Sequence, residues 1–474
     1  MHAVNPVCAV LTANQHMCRG GRKSKQLGFC AGMLASFLAA AIASTPEGFP
    51  NQLAARPPRG WRSWNGWGPD INQPLVMSMM DALLDDRHGS LASLGYTDVG
   101  LDEGWAACGA GVNGTYRNGT TEHVIVDKGR FPSLSNLTAH AHSLNLTAGW
   151  YLNCDGCVTN HFMAYTPDAA DALAYGFDGV KFDGGGGSDN ITRWAEALNG
   201  TGKPMLIENC LDKKQVSYLL HTPAECPFNM YRVGSDVGPH FLGAMANAYV
   251  DALPFLEAVV QGLPASRPSC WAYPDMLPIG TPSWSAPHGL KRQTITTCGG
   301  ELTRAEEAAI FATWSIVSSP LILGFDLTNL TEVSRLLPII GNKRALDVNA
   351  QWAGEAGRAL KRSKTSFNAT ALYNMDCSRT RHVLLPEWVV WSKQLSSPPD
   401  SVAALAINLA DGPRSFSVTL KELALAAGDV HGDVSEMAGV EVWSGAKVAK
   451  VTADADWCLD ALPSHDSAFV IFTK

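Results

Sequence analysis

From residue 59 to residue 326 the chain alternates between two textures, and that alternation restricts its fold more than any single motif does. Short runs rich in β-branched or aromatic residues recur at "RGWRSWN" (59–65), "TDVGLD" (97–102), "TAGWYL" (147–152), "GVKFD" (179–183), "PMLIEN" (204–209), "NMYRVGSD" (229–236) and "PLILGFD" (320–326). Between them lie stretches with helical spacing. In "FPSLSNLTAHAHSLN" (131–145), Leu134, Leu137, Ala141 and Leu144 recur every three or four residues, and "TRAEEAAIFATWSIVS" (303–318) reads as a longer helix. An eighth, irregular strand candidate surrounds "SCWAYPDML" (269–277). Strands that alternate with helices imply a parallel sheet. Eight of them in about 270 residues fit a (β/α)8 TIM barrel better than an open sheet, and no Gly-x-Gly-x-x-Gly follows the first strand to suggest a dinucleotide fold. The barrel is assigned to residues 57–350. Residues 351–474, with short alternating runs such as "VAALAINLAD" and "SAFVIFTK", read as a C-terminal antiparallel β-sandwich domain.

The start of the chain has a different composition. "RGGRKSKQ" (19–26) carries four basic side chains, and "LGFCAGMLASFLAAAIA" (27–43) carries no charge and ends on small residues at Ala41 and Ala43. That order suits a signal peptide or other targeting leader over residues 1–43; as a membrane anchor the run is short and too rich in Ala and Gly. Asn-x-Ser/Thr acceptors at Asn113, Asn118, Asn136, Asn145, Asn190, Asn199, Asn329 and Asn368 agree with passage through the secretory pathway, to the extracellular space, the cell wall or a vacuole or lysosome. Of twelve cysteines, three fall in the leader, and the other nine show no paired C-x-x-C spacing for zinc. An odd number leaves at least one thiol free. The net charge of −8 gives no footprint for nucleic acid, and a mature chain without the leader has no membrane segment.

In a barrel of this kind the C-terminal strand ends form the face where chemistry occurs. Acidic and polar side chains gather at those ends: Asp102 and Glu103 in "LDEGW", Asp183 in "KFD", Asn209 in "IENC", Arg232 and Asp236 in "YRVGSD", Asp275 in "YPDM" and Asp326 in "GFD". Taken singly, each acid is more often a helix cap or an ion-pair partner for Lys181 or Arg232. Together they match what hydrolysis of a glycosidic bond requires, one carboxylate to attack or to activate water and one carboxylic acid to protonate the leaving oxygen. The four glycines after Asp183 lack the Gly-Lys-Ser/Thr of a phosphate loop and leave room beside the carboxylate.

Several stretches in order, "GWRSWNGWGPDIN", "GYTDVGLDEGW", "RFPSLSNLTAHAHSLNLTAGWY", "GFDGVKFDG", "YRVGSDV", "WAYPDML", "WSIVSSPLILGFDL" and "NKRALDVNAQWAG", resemble the motifs of glycoside hydrolase family 27, the α-galactosidases and α-N-acetylgalactosaminidases. The resemblance covers roughly residues 60–355 and implies the same two-domain split. It implies that Asp183 is the nucleophile of a covalent glycosyl enzyme and Asp236 the acid/base, with retention of configuration and carboxyls about 5–5.5 Å apart. Lys181, two residues before Asp183 on the same strand face, can favour the ionised nucleophile, and the pKa of Asp236 should respond to the charge on Asp183. The resemblance further places Trp64 as an aromatic wall, Asp102 and Glu103 as hydroxyl acceptors, Lys181 and Arg232 as hydroxyl donors, and Tyr151 and Asp275 on the pocket lining. It implies no metal or organic cofactor, and a substrate with a terminal α-galactosyl group.

This chain also departs from the family pattern. Glu103 stands where the family usually has a second Asp, and the extra methylene crowds the place of the exocyclic C6 group of galactose. β-L-Arabinopyranose, which lacks that group, is the alternative sugar, followed by N-acetylgalactosamine and by a non-catalytic sugar-binding barrel. Pro69 and Gly104 replace the two cysteines of one family disulfide, and Gly185 replaces another, leaving Cys154 or Cys157 without that partner. By the same resemblance Cys210 and Cys226 form a bridge. The "LDKK" loop after Cys210 differs from the family where the substituent at the sugar's C2 is read.

Overall fold

The computed structural model describes residues 51–474 except 88, 154–156, 158–163, 185–189, 212–215, 286–292 and 295–300. The leader, Cys154, the glycines from 185 onward and most of the "LDKK" loop lie outside the described residues.

Eight parallel strands form one curled sheet: β1 (Arg59–Arg62), β2 (Asp98–Gly100), β3 (Thr147–Asn153), β4 (Gly179–Asp183), β5 (Leu206–Cys210), β6 (Met230–Arg232), β7 (Trp271–Tyr273) and β8 (Leu321–Leu323). Neighbours pair in chain order, and β8 pairs with β1, so the ring is continuous except between β7 and β8. There the Leu277 N–H donates to the Ile322 carbonyl at 2.9 Å. All eight coincide with the runs read from the sequence, the irregular one included.

Helices follow the strands where the sequence supplies caps. Asn72, Ser133 and Asn190 each accept a backbone N–H at the start of Gln73–Leu83, Leu134–Ser143 and Ile191–Asn199, and Thr303 with Glu306 forms a capping box on Arg304–Ile316. Each satisfies donors that a helix start leaves unpaired. The helix-facing side of the strands is apolar; Val180 and Phe182 of β4 are almost fully buried, with Phe182 stacked on Trp194 at 4.4 Å, whereas Lys181 between them faces the barrel interior.

After the helix Lys343–Ala350 the pairing becomes antiparallel. A six-stranded sheet, in spatial order Arg358–Arg362, Trp388–Leu395, Ser401–Asn408, Ser467–Thr473, Glu436–Glu441 and Lys447–Thr452, is accompanied by the two-stranded pairs Ser366–Tyr373/Arg379–Pro386 and Arg414–Val418/Trp457–Leu462. The strand Ser401–Asn408 is buried along its whole length because both faces are covered. Ala403, Leu405 and Ile407 join the large cluster that contains the barrel helices, while Val402, Ala404 and Ala406 pack with Val418, Leu423 and Trp457 on the other side. Period-two alternation puts two apolar sets on opposite faces, and each set finds its own layer.

The hairpin Ser366–Tyr373/Arg379–Pro386 returns to the barrel rim. Val237 and Tyr373 form an isolated antiparallel bridge, and the Asn374 N–H donates to the Asp236 carbonyl at 2.8 Å. The approach is close: a Cβ on Gly238 would lie 2.1 Å from the Asn374 oxygen, and one on Gly243 would lie 2.2 Å from that of Leu372.

The cysteines correct the bridge read from the resemblance. Cys226 is bonded to Cys270, with Cα atoms 6.4 Å apart, and Cys210 is free and buried. Cys210 is the last residue of β5 and so sits at the C-terminal end of the barrel, whereas Cys226 and Cys270 precede β6 and β7 and sit at the N-terminal end. Bridging Cys210 to Cys226 would span the barrel's length, far beyond disulfide reach. Cys157 pairs with Cys108, 5.2 Å apart at Cα, so it has a partner other than the one lost at position 185. A non-reducing peptide map should recover Cys226–Cys270 and Cys108–Cys157 as linked peptides, and Cys210 should take up an alkylating agent only after unfolding. A Cys210–Cys226 peptide would contradict the structure.

Candidate active site

Asp102 lies two residues beyond β2, where its N–H donates to the Ser63 hydroxyl at 2.9 Å. One carboxylate oxygen accepts the Glu103 N–H at 3.0 Å, and the other accepts from Lys181 Nζ at 2.7 Å. Both side chains of that ion pair are buried, 4% exposed for Lys181 and 1% for Asp102. Burial works against the charge on Lys181, but Asp102 and the surrounding anions outweigh it and hold the ammonium well above the usual lysine range. Lys181 thus serves Asp102 directly, and its influence on Asp183 is through space.

Asp183, at the end of β4, has other partners. The Tyr151 hydroxyl donates to one oxygen at 3.0 Å and the Gly184 N–H to the other at 2.8 Å. Asn153 Nδ2 donates to the same Tyr151 hydroxyl at 2.9 Å, which fixes its orientation. Lys181 Nζ lies 5.3 Å from the centre of the Tyr151 ring, so the three side chains on β3 and β4 hold one another.

Beyond β6, Arg232 forms an ion pair with Asp236 four residues on, and the same guanidinium nitrogen lies 3.8 Å from Asp275. Arg232 holds the Asp236 carboxyl below the usual carboxylate range, more strongly than burial raises it. Asp275 behaves in the opposite way, since burial pushes its carboxyl up to about 7. Its second oxygen accepts the Val237 N–H at 2.7 Å, tying the Asp236 segment to the end of β7. The charge that governs Asp236 is therefore that of Arg232, which corrects the expectation that Asp183 would govern it.

Asp102, Lys181, Asp183, Arg232, Asp236 and Asp275 line one open pocket of about 350 Å³, together with Trp64. Residues that sequence reasoning did not single out also form its walls: Asn65, Val237, Met276 and Met375. Asn65 and Met276 neighbour motif residues and could have been found; Met375 comes from the C-terminal hairpin, and no local signal marks it. Tyr151, hydrogen-bonded to Asp183, and Glu103, next to Asp102, do not line it. Asn209 is buried and accepts the Leu211 N–H, and Asp326 holds Thr328 in a turn, so neither reaches the pocket.

Glu103 is partly buried beside two other carboxyls. Burial, followed by the charges of Asp102 and Asp183, pushes it up to about 7. Gly104 next to it has φ +109°, and a Cβ there would lie 2.2 Å from the Pro69 carbonyl, so the two positions that replace the family's cysteines do touch.

Two outcomes test this electrostatic arrangement. Lys181→Met leaves Asp102 buried and uncompensated, and should destabilise the fold by about 3–5 kcal/mol in denaturant titration. Glu103 has a folded pKa near 7 against 4.5 for the ordinary group, so the folded state holds a proton between those values that the unfolded chain has released. Its contribution is therefore favourable at acid pH and is lost as pH rises through 7. Glu103→Gln should melt higher than the wild type at pH 8, by roughly 2–4 °C, with the gap closing towards pH 5. A gap that does not vary with pH would show that Glu103 is not the group responsible.

Residues 57–351 match the family model described as alpha galactosidase A. A probable alpha-galactosidase of Dictyostelium discoideum is 26% identical over 338 residues, covering 69% of this chain and 76% of that protein. The solved alpha-galactosidase of Saccharomyces cerevisiae superposes with a TM-score of 0.70 at 18% identity, covering 90% of this chain and 99% of that one. A GH27 β-L-arabinopyranosidase from Geobacillus stearothermophilus superposes with a TM-score of 0.69 at 17% identity, covering 90% and 98%. A model match over more than half of the chain, on a barrel whose strand ends carry the paired carboxyls, establishes the family: the chain belongs to the alpha galactosidase A family of glycoside hydrolases.

Proposed function

We propose that the protein is a retaining exo-α-galactosidase in which Asp183 is the nucleophile and Asp236 the acid/base. The observation that carries this reading is the meeting of both carboxyls in one pocket, with a buried Lys181–Asp102 pair among its walls. In the first step Asp183 attacks the anomeric carbon, the bond to the glycosidic oxygen breaks, and that oxygen takes the proton of Asp236. In the second, Asp236 removes a proton from water as the water displaces Asp183, which leaves both side chains as they began. Tyr151 and Gly184 support the reading because they direct two donors at Asp183 and hold it for attack. Asp102, Lys181 and Arg232 would bind the hydroxyls through charge-assisted bonds, with Trp64 against the ring.

For Asp236 to act as an acid, Arg232 must stop neutralising it. A sugar hydroxyl that draws the guanidinium away would let the carboxyl rise towards its ordinary range and take up a proton. Asp275, 3.8 Å from the same nitrogen, is the partner to which Arg232 can turn.

A second reading, β-L-arabinopyranosidase, is favoured by one specific feature: Glu103, next to the pocket residue Asp102, is a longer acid than the Asp that the family resemblance implies there. Nitrophenyl glycosides of galactose, arabinopyranose and N-acetylgalactosamine decide between these. The lead reading expects turnover of the α-galactoside at least tenfold above the other two; preference for the pentose would demote galactose, and turnover of none would leave a non-catalytic sugar-binding barrel. Asp183→Ala should lower kcat by a factor of 10⁴ or more with the melting temperature kept, and substantial residual activity would remove Asp183 from its role.

A further inference from the structure

One wall of the pocket does not come from the barrel. Met375, at the tip of the hairpin Ser366–Tyr373/Arg379–Pro386, is only 4% exposed and lines the same cavity as Asp236. Its position is fixed by the backbone on either side. Val237 bridges Tyr373, the Asn374 N–H holds the Asp236 carbonyl, and Gly238 has no Cβ to keep Asn374 away. Farther down the hairpin Arg381 donates to the buried Asp251 at 2.8 Å, and Cys377 at the tip is disulfide-bonded. The tip is thus anchored against the segment that carries Asp236.

The barrel's strand order fixes which part of a substrate can reach this wall. Asp102 follows β2 and Asp236 follows β6, four strands away in a ring of eight, so they stand on opposite sides of the mouth. A sugar whose hydroxyls are held at Asp102 and Lys181 has its glycosidic oxygen towards Asp236, since that oxygen must lie within hydrogen-bond reach of the acid. Whatever leaves with the oxygen then lies over the Asp236 side, against Met375. A thioether presents polarizable apolar surface that suits the C–H face of a sugar or the face of an aryl ring.

We infer that Met375 of the C-terminal hairpin is the seat of the leaving group, a sugar or aryl ring, and so a specificity-determining residue of the barrel's reaction. The inference rests on the reading of Asp236 as the acid/base. It makes the C-terminal domain part of the active site and limits the enzyme to leaving groups that fit between the hairpin and the barrel rim.

Three substrates separate a leaving-group seat from other roles. α-Galactosyl fluoride has no ring to place; dinitrophenyl α-galactoside has a ring but needs no proton to depart; an α-1,6-galactosyl disaccharide has a ring and needs the proton. Met375→Ala should lower kcat/KM about tenfold on both ring-bearing substrates and less than twofold on the fluoride. Met375→Leu, which keeps the apolar surface, should stay within about threefold of the wild type on all three. Loss on the disaccharide alone would mean that the hairpin only positions Asp236, and equal change on all three, or none, would likewise overturn the seat. Should Met375→Ala fail to fold, Met375→Gln, close in size, should show the same selective loss. A wild type inactive on all three would instead overturn the galactosidase reading itself, and the seat with it.

Discussion

The pairing of Lys181 with Asp102 across the barrel mouth is the constraint on which the site depends. Two charges buried to 4% and 1% exposure could not remain ionised separately, because the desolvation of each costs several kcal/mol. At 2.7 Å they compensate one another, and this fixes β2 and β4 in relative position although β3 lies between them. A second layer repeats the device deeper in the barrel: Arg62 donates to Asp98 at 2.7 Å and to Glu208 at 3.1 Å, and the Tyr273 hydroxyl donates to Glu208 at 2.6 Å. The interior of this barrel is thus held by cross-strand polar links as well as by apolar packing. A site resting on it has its acceptors and donors already oriented before a sugar arrives, which is the condition for charged groups to favour binding rather than to absorb reorganisation energy.

The antiparallel domain is more than an appendage to that frame. Its central strand has one apolar face towards the barrel helices, and Lys393 on the neighbouring strand is completely buried, donating to the Val348 and Asn349 carbonyls at the end of Lys343–Ala350. Burial brings that ammonium down to about 7, and its compensation comes from the partial negative charge at a helix C-terminus rather than from a carboxylate. With the sheet fixed in this way, the hairpin that leaves it reaches the catalytic rim in a defined register. The close backbone contacts at Gly238 and Gly243 are the other half of the same fit.

Much of this was legible in the chain. All eight strands coincide with the runs because their helix-facing residues must be apolar, and the acids at their ends were identifiable because the C-terminal strand ends of a barrel are where polar side chains gather. The Lys181 partner was not legible: alternation places Lys181 and Asp183 on one face, but which of Asp102 and Asp183 lies 2.7 Å away depends on the twist and stagger of three strands. The disulfides failed for a related reason. Cys210 and Cys226 are only 16 residues apart, yet the chain between them runs from the top of β5 to the bottom of β6, and only a three-dimensional path separates the two ends. Met375 had no signal whatever, since its relevance comes from a hairpin more than a hundred residues after β6.

The trio Arg232, Asp236 and Asp275 shows why the acid/base role is physically coherent on the roles proposed. One guanidinium faces two carboxyls: the buried Asp275, raised to about 7, is protonated at acid pH, while the half-buried Asp236 is held ionised by the cation. Two carboxyls and one cation thus hold a single proton between them, and which of them carries it depends on where Arg232 points. A rotation towards Asp275 favours its anion and relieves Asp236, so a sugar hydroxyl that competes for Arg232 would shift the proton preference to the carboxyl facing the glycosidic oxygen. Asp236 would then be protonated only when there is a glycosidic oxygen to receive the proton, and ionised once Arg232 returns, ready to take the proton of the attacking water.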